Sequence, residues 1–159
     1  MMKAMGVGAI VLVLMGLGAS PAVSDPTGSD TLQTQIDDVL AHYPGGIQIS
    51  PTTISWEDGA ILLTFPAPYG RAIGSCATGS YCAFSGSSYS GTRLAFTGCS
   101  ATTTSNSLSS LGSSVRSVAN ARTSGTVRAM DGATVVHTLS ANTGVVSNAS
   151  SLTALSCTS

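Results

Sequence analysis

The chain has 159 residues, a formal net charge of −1 and only 8% charged residues, a length that suits one domain with a small appendage. Its basic residues (Lys3, Arg71, Arg93, Arg116, Arg122, Arg128) form no patch able to neutralise phosphates, which excludes nucleic acid as a partner. A polar surface must then be built from serine, threonine, asparagine and glycine, which favours a β-rich extracellular module, since threonine and valine suit strands.

Residues 1–22 read as a signal peptide. Lys3 gives a short basic start, an apolar run extends from Ala4 to Leu17, and Gly18, Ala19, Ser20 and Ala22 suit cleavage after Ala22 or Ser24. The run is shorter than the roughly 20 residues a membrane span needs, and no cysteine follows it closely to carry a lipid. The expected mature protein is secreted, extracellular, monomeric and free of membrane attachment. Cys76, Cys82, Cys99 and Cys157 all follow the signal, and an even number in an exported chain implies disulfides. A zinc site is disfavoured, because the spacings are not short and paired and His42 and His137 are the only histidines.

Residues 23–72 are expected to form a lead-in, a helix and a hairpin that pack against a main domain at 73–159. Asp30 can cap the helix, with Gln33 completing a capping box, and Leu32, Ile36, Val39, Leu40 and Tyr43 form one apolar stripe that Pro44, Gly45 and Gly46 end. Asp37 and Asp38 are neighbours on a helix and point in different directions, so a solvated face is expected rather than a catalytic pair. Ser55 to Leu63 reads as a hairpin with Asp58-Gly59 as a two-residue turn, and Trp56 as a packing residue on it.

In the main domain, Tyr81 to Phe84 and Thr92 to Phe96 read as paired strands. With Phe84 facing roughly Thr92, Cys76 falls close to opposite Cys99. Four cysteines allow three pairings; this register favours Cys76–Cys99 and leaves Cys82 for Cys157. From Ser100 to Ser114 the chain is almost all small and hydroxylated, with Leu108 and Leu111 its only large apolar residues, and reads as a surface crossing. Further strands are expected around Val115 and Val118, at Thr126 to Met130, at Ala133 to Leu139, at Val145-Val146 and at Leu152 to Leu155. Short strands at such spacing indicate a sandwich or barrel.

Catalysis has little support. A serine nucleophile needs a neighbouring base; His42 closes the helix, where its charge suits the negative dipole end, and His137 sits among Val135, Val136 and Leu139 in a strand. There is no glycine-flanked serine elbow, no His-Glu metal motif and no glycine loop leading into a helix to cradle phosphate. No catalytic residue and no cofactor are expected. Asn148-Ala149-Ser150 matches the glycosylation acceptor pattern.

Phe84-Ser-Gly-Ser-Ser-Tyr89-Ser-Gly91 places an aromatic, four residues, an aromatic, one residue and a glycine. With the cysteines and the signal, this resembles the secreted βγ-crystallin-like peptidase inhibitors of actinobacteria, which include metalloproteinase inhibitors. Gly45 to Ser50 and Asp58 to Thr64 also look like the N-terminal region of such chains. The resemblance implies a mainly β, βγ-crystallin-like Greek-key sandwich, with Phe84 packed under a folded-over hairpin and Gly91 taking a backbone angle other residues resist. Calcium sites of related microbial domains lie near a serine pair. Here Ser109 to Ser114 and Ala149 to Ala154 lack the carboxylate a hard cation wants, so no metal is expected, and the stretch Val127 to Gly132 lacks the aromatic signature. The function implied is proteinase inhibition, or inhibitor-family binding, through a rigid disulfide-braced surface loop, with an extracellular protease as partner. The alternative is an extracellular structural or surface-interaction protein.

Overall fold

The computed structural model describes residues 27–66, 76–99, 104–146 and 151–159. The expected signal peptide, the boundary at 72/73 and the Asn148 acceptor lie outside them. The described chain is mainly β: one helix, α1 (Thr27–His42), and eleven strands in two antiparallel sheets. The strands are β1 (Ile47–Ser50), β2 (Thr53–Trp56), β3 (Ile61–Thr64), β4 (Tyr81–Phe84), β5 (Arg93–Phe96), β6 (Thr104–Ser107), β7 (Ser117–Asn120), β8 (Thr126–Asp131), β9 (Thr134–Ser140), β10 (Thr143–Val146) and β11 (Ala154–Thr158). Seven strands form one sheet in the order β1-β2-β3-β5-β4-β7-β10, and four form the other in the order β6-β11-β8-β9.

The connections follow one pattern twice. After the β4–β5 hairpin, β6 crosses to the four-stranded sheet and β7 returns to pair with β4. After the β8–β9 hairpin, β10 crosses to the seven-stranded sheet and β11 returns to pair with β8. Each sheet therefore holds one strand from the other half of the chain, which ties the halves together by backbone hydrogen bonds as well as by packing. The N-terminal hairpin joins the same sheet edge to edge, because β3 pairs with β5 (Leu63 opposite Leu94).

Directly paired residues share a face, so the core can be read across the strands. Ile54, Leu63, Leu94, Ala83 and Val118 form one continuous row on the inner face, all fully buried. Against this face pack Val127, Ala129, Leu139, Leu155 and Cys157 of the four-stranded sheet, together with Ile36 of α1. The helical stripe behaves as its spacing predicts: Ile36 is fully buried, and Leu32, Val39 and Leu40 pack beside it. Trp56 closes the helix end onto the sheet; its indole N–H donates to the Tyr43 carbonyl at 3.1 Å, and a Cβ at Gly46 would stand 2.6 Å from its ring.

Four local expectations are corrected. The helix begins at Thr27, so Asp30 lies within its first turn rather than at the cap. The β2–β3 loop spans four residues, 57–60, because Trp56 and Ile61 are the last pair, and Glu57, Asp58 and Gly59 all take positive φ (51°, 52° and 94°). The crossing after Ser100 contains β6, which pairs with β11, and its two leucines, Leu108 and Leu111, are buried in the core. A strand without large apolar residues gives no periodic signal of its own. Finally, the strand expected at Val145-Val146 starts earlier, with Ala141 and Asn142 making the turn and Thr143 and Gly144 already in β10.

The disulfides pair differently from the register expectation. Cys76 bonds Cys82, with Cα atoms 5.8 Å apart, and Cys99 bonds Cys157, with Cα atoms 5.7 Å apart. Two facts exclude the other arrangement. Phe84 stands opposite Arg93 rather than Thr92, a one-residue slip that moves the position facing Cys76 further from Cys99. Cys82 also alternates with Tyr81 and Ala83, so it points to the outer face beside Phe84 and Ala95, whereas Cys157 lies in the core between the sheets. A Cys82–Cys157 bond would have to pass through the sheet.

Candidate functional site

The hairpin from Cys76 to Cys99 holds the residues singled out in the sequence. Strand β4 is buried on both faces along its whole length, the pattern of an interior strand. Beyond Phe84 the chain does not turn tightly; residues 85–92 fold over the outer face of the sheet. The Ser85 N–H bonds the Thr92 carbonyl at 3.0 Å and the Gly86 N–H bonds the Ser90 carbonyl at 2.9 Å. The Thr92 N–H donates to Ser85 Oγ at 2.9 Å.

Phe84 is fully buried, and Tyr89 meets it edge-to-face with ring centroids 5.8 Å apart and planes at 73°, an arrangement the aromatic quadrupole favours. To set that geometry, Ser88 and Tyr89 take positive φ (55° and 58°), a strained choice for side chains with a Cβ. Gly91 also has positive φ, at 79°, and a Cβ there would meet Ser85 Oγ and approach the Gly86 nitrogen to 2.9 Å. Tyr89 in turn lies over Gly144 of β10, where an added Cβ would come within 2.9 Å of the ring. Phe84, Tyr89 and Gly91 thus come together as one unit that shapes the fold.

A fourth member escaped the sequence reading. Ser117, fully buried at the start of β7, receives the Tyr89 N–H at 2.9 Å and donates to the Gly86 carbonyl at 2.8 Å. It clasps the folded tip from below. In the second half, Thr153 stands just before β11 and accepts the Gly132 N–H at 2.9 Å. Both hydroxyls head the fourth strand of their half and hold the tip of its first hairpin. Ser117 directly precedes Val118 and Thr153 stands two residues before Leu155, so no shared spacing marked them out among the abundant hydroxyl residues. The second tip is otherwise reduced to a turn at Gly132 and Ala133, with Gly132 at φ 57°.

Upstream of β4 the Cys76–Cys82 bond closes a small ring. Ala77, Thr78 and Gly79 are exposed at its apex, while Ser80, Tyr81 and Cys82 are buried. The Ser80 N–H bonds the Ala77 carbonyl at 3.0 Å, and Gly79, at φ 90°, donates its N–H to the Ala121 carbonyl at 3.0 Å. The ring is fixed covalently at its ends and by hydrogen bonds at its apex.

Tyr81 links the sheets at the other bond. Its hydroxyl donates to the Gly98 carbonyl at 3.1 Å and accepts a hydrogen bond from the side chain of Asn106 on β6. Its ring stacks on Phe96 with centroids 5.3 Å apart. Burial raises its pKa above the ordinary 10.0, against the opposing effects of the Asn106 hydrogen bond and the Arg122 charge. A shallow cleft of about 170 Å³ beside Gly98 and Cys99 is lined by Glu57, Ile61, Phe96 and Asn106, well below the roughly 300 Å³ at which small-molecule pockets begin.

The histidines stand apart from one another. His42 is exposed in the last turn of α1, with Nδ1 2.8 Å from the Asp38 carbonyl oxygen and 3.5 Å from its carboxylate. His137 lies on β9 opposite Ala129. Among the described residues no three His, Cys, Asp or Glu side chains gather as a metal site, and Ser109 to Leu111 form a short helical turn with Leu111 buried. No described helix is long and apolar enough to cross a membrane.

No curated protein and no solved structure matches the chain. Residues 70–137, which include the ring, the folded hairpin and Ser117, match the model of peptidase inhibitor family I36, and this match supports a peptidase inhibitor family and a non-enzymatic role.

Proposed function

We propose that this protein is a secreted peptidase inhibitor acting through the disulfide-closed ring Cys76–Cys82. The observation that carries the reading is the ring itself: exposed Ala77, Thr78 and Gly79, bonded at both ends within the residues that match the inhibitor family. A loop already ordered before binding loses little conformational freedom on entering a cleft, so more of the contact energy appears as affinity. The exchange of β6 and β10 between sheets, with β7 and β11 returning beside β4 and β8, supports a βγ-crystallin-like pair of Greek keys at 73–159, preceded by the extension at 23–72. Two disulfides fit an oxidising compartment, and with the apolar N-terminus they support export and cleavage near Ala22. The protein acts as a monomer, without metal or cofactor.

The test is inhibition of thermolysin-like and subtilisin-like peptidases by the mature protein and by a Cys76→Ser/Cys82→Ser variant. The proposal expects inhibition by the parent and at least a tenfold weaker effect from the variant while its β-sheet spectrum is kept. Equal inhibition by both would remove the ring from the mechanism, and inhibition by neither would remove the function.

A further inference from the structure

The ring does not present an extended strand to a peptidase, because its apex is a turn in which the Gly79 and Ser80 amides bond the Ala121 and Ala77 carbonyls. Peptidase clefts bind peptides in extended form, through main-chain hydrogen bonds and pockets for alternate side chains. Among the described edge strands, β1, β6, β9 and β10, β1 offers that form with the greatest apolar exposure. Strand β1 is one edge of the seven-stranded sheet, and its two isoleucines are the most exposed large apolar residues described, Ile47 at 64% and Ile49 at 58%, ahead of Val135 and Val136 on β9.

The inner side of the strand is occupied. Gln48 stands opposite Ile54 and exchanges hydrogen bonds with Gln33 of α1 at 3.0 and 3.2 Å. Ile47 and Ile49 are therefore turned away from the helix, two residues apart, on a strand held in place by β2. From Gly45 to Ser55 the chain carries no charge, so no charged side chain of this stretch opposes desolvation of the edge, and pairing would satisfy its backbone groups.

We infer that β1 is a second peptidase-contacting element, in which Ile47 and Ile49 seat in pockets that accept large aliphatic side chains and the free strand edge pairs with the rim of the cleft. The inference rests on the inhibitor reading above, but it concerns residues outside the 70–137 match, so it assigns a role to the N-terminal extension that the family match does not supply. A second copy of this chain is a poorer occupant. The register shift between Gln48 and Ser50, with Pro51 next, limits the pairable edge to about one short strand. Two such edges would bury far less than the roughly 1,200 Å² of a stable interface. A peptidase cleft needs only a few extended residues.

The experiment uses the full mature protein and the double variant Ile47→Thr/Ile49→Thr, which keeps β-branching and strand propensity. Inhibition constants are measured against peptidases that prefer large aliphatic and small side chains, alongside the ring variant, with melting temperature and sedimentation as controls. The inference expects the parent to favour the large-aliphatic enzymes. The double variant should inhibit them at least tenfold more weakly, with unchanged melting and a monomeric parent. Parent-like inhibition by the double variant overturns the inference and leaves the ring reading standing. A parent dimer that dissociates in the variant assigns the edge to self-association and overturns it too. A parent that inhibits no peptidase overturns both readings.

Discussion

Replacing Ser117 by alanine isolates the contribution of the clasp beneath the folded hairpin. The hydroxyl is fully buried and serves two partners, the Tyr89 N–H at 2.9 Å and the Gly86 carbonyl at 2.8 Å. An unpaired buried polar group costs about 1–3 kcal/mol. The tip is half-buried, so water can reach part of it, and a total loss of about 2–3 kcal/mol follows from one group left fully unpaired and the other partly so. At about 2–4 °C per kcal/mol for a chain of this size, melting falls by about 5–10 °C. Thermal unfolding under non-reducing conditions reads this directly, with exposed Ser114→Ala as the control that should stay within about 0.5 kcal/mol. A Ser117→Ala protein that melts with the parent would refute the clasp and leave the strained Tyr89 backbone without its support.

Other consequences follow from the same geometry. Non-reducing cleavage after arginine should leave Cys76 and Cys82 in one internally bridged peptide, 72–93, and join 94–116 to 129–159; a 72–93 peptide linked to both others would contradict the pairing. Cys99→Ser/Cys157→Ser should destabilise by about 4 kcal/mol and Cys76→Ser/Cys82→Ser by about 2, because the first bond closes much the longer loop; denaturant titration checks the order. Gly91→Ala should cost about 1–3 kcal/mol from its positive φ and its approach to Gly86, measured the same way, and parent-like stability would show that the tip relaxes freely. Tyr81 holds its proton more tightly folded than unfolded, so its contribution to stability is full below about pH 10 and is lost as pH rises through the folded pKa. Absorbance titration should show a late tyrosine step that Tyr81→Phe removes.

What the sequence disclosed depended on which residues leave a pattern. The apolar stripe of α1 and the aromatic–aromatic–glycine spacing of 84–91 were legible, because periodicity and turn chemistry are local. Strand β6 was not, since Thr104 to Ser107 acquires its strand character from pairing with β11. The disulfides turned on a one-residue register and on which face Cys82 presents, and both are fixed by β7 and β3 flanking the hairpin rather than by the hairpin's own residues. Ser117 was hidden for the opposite reason: serine is common throughout the chain, and only its burial distinguishes this one.

The most direct test of the inhibitor reading is titration of a fixed amount of active peptidase with the purified mature protein, following residual activity on a small substrate. The account predicts that activity falls linearly to a break near one molar equivalent, with the protein recovered intact from the complex. Steady digestion of the protein, with peptidase activity unchanged at a large molar excess, would contradict it.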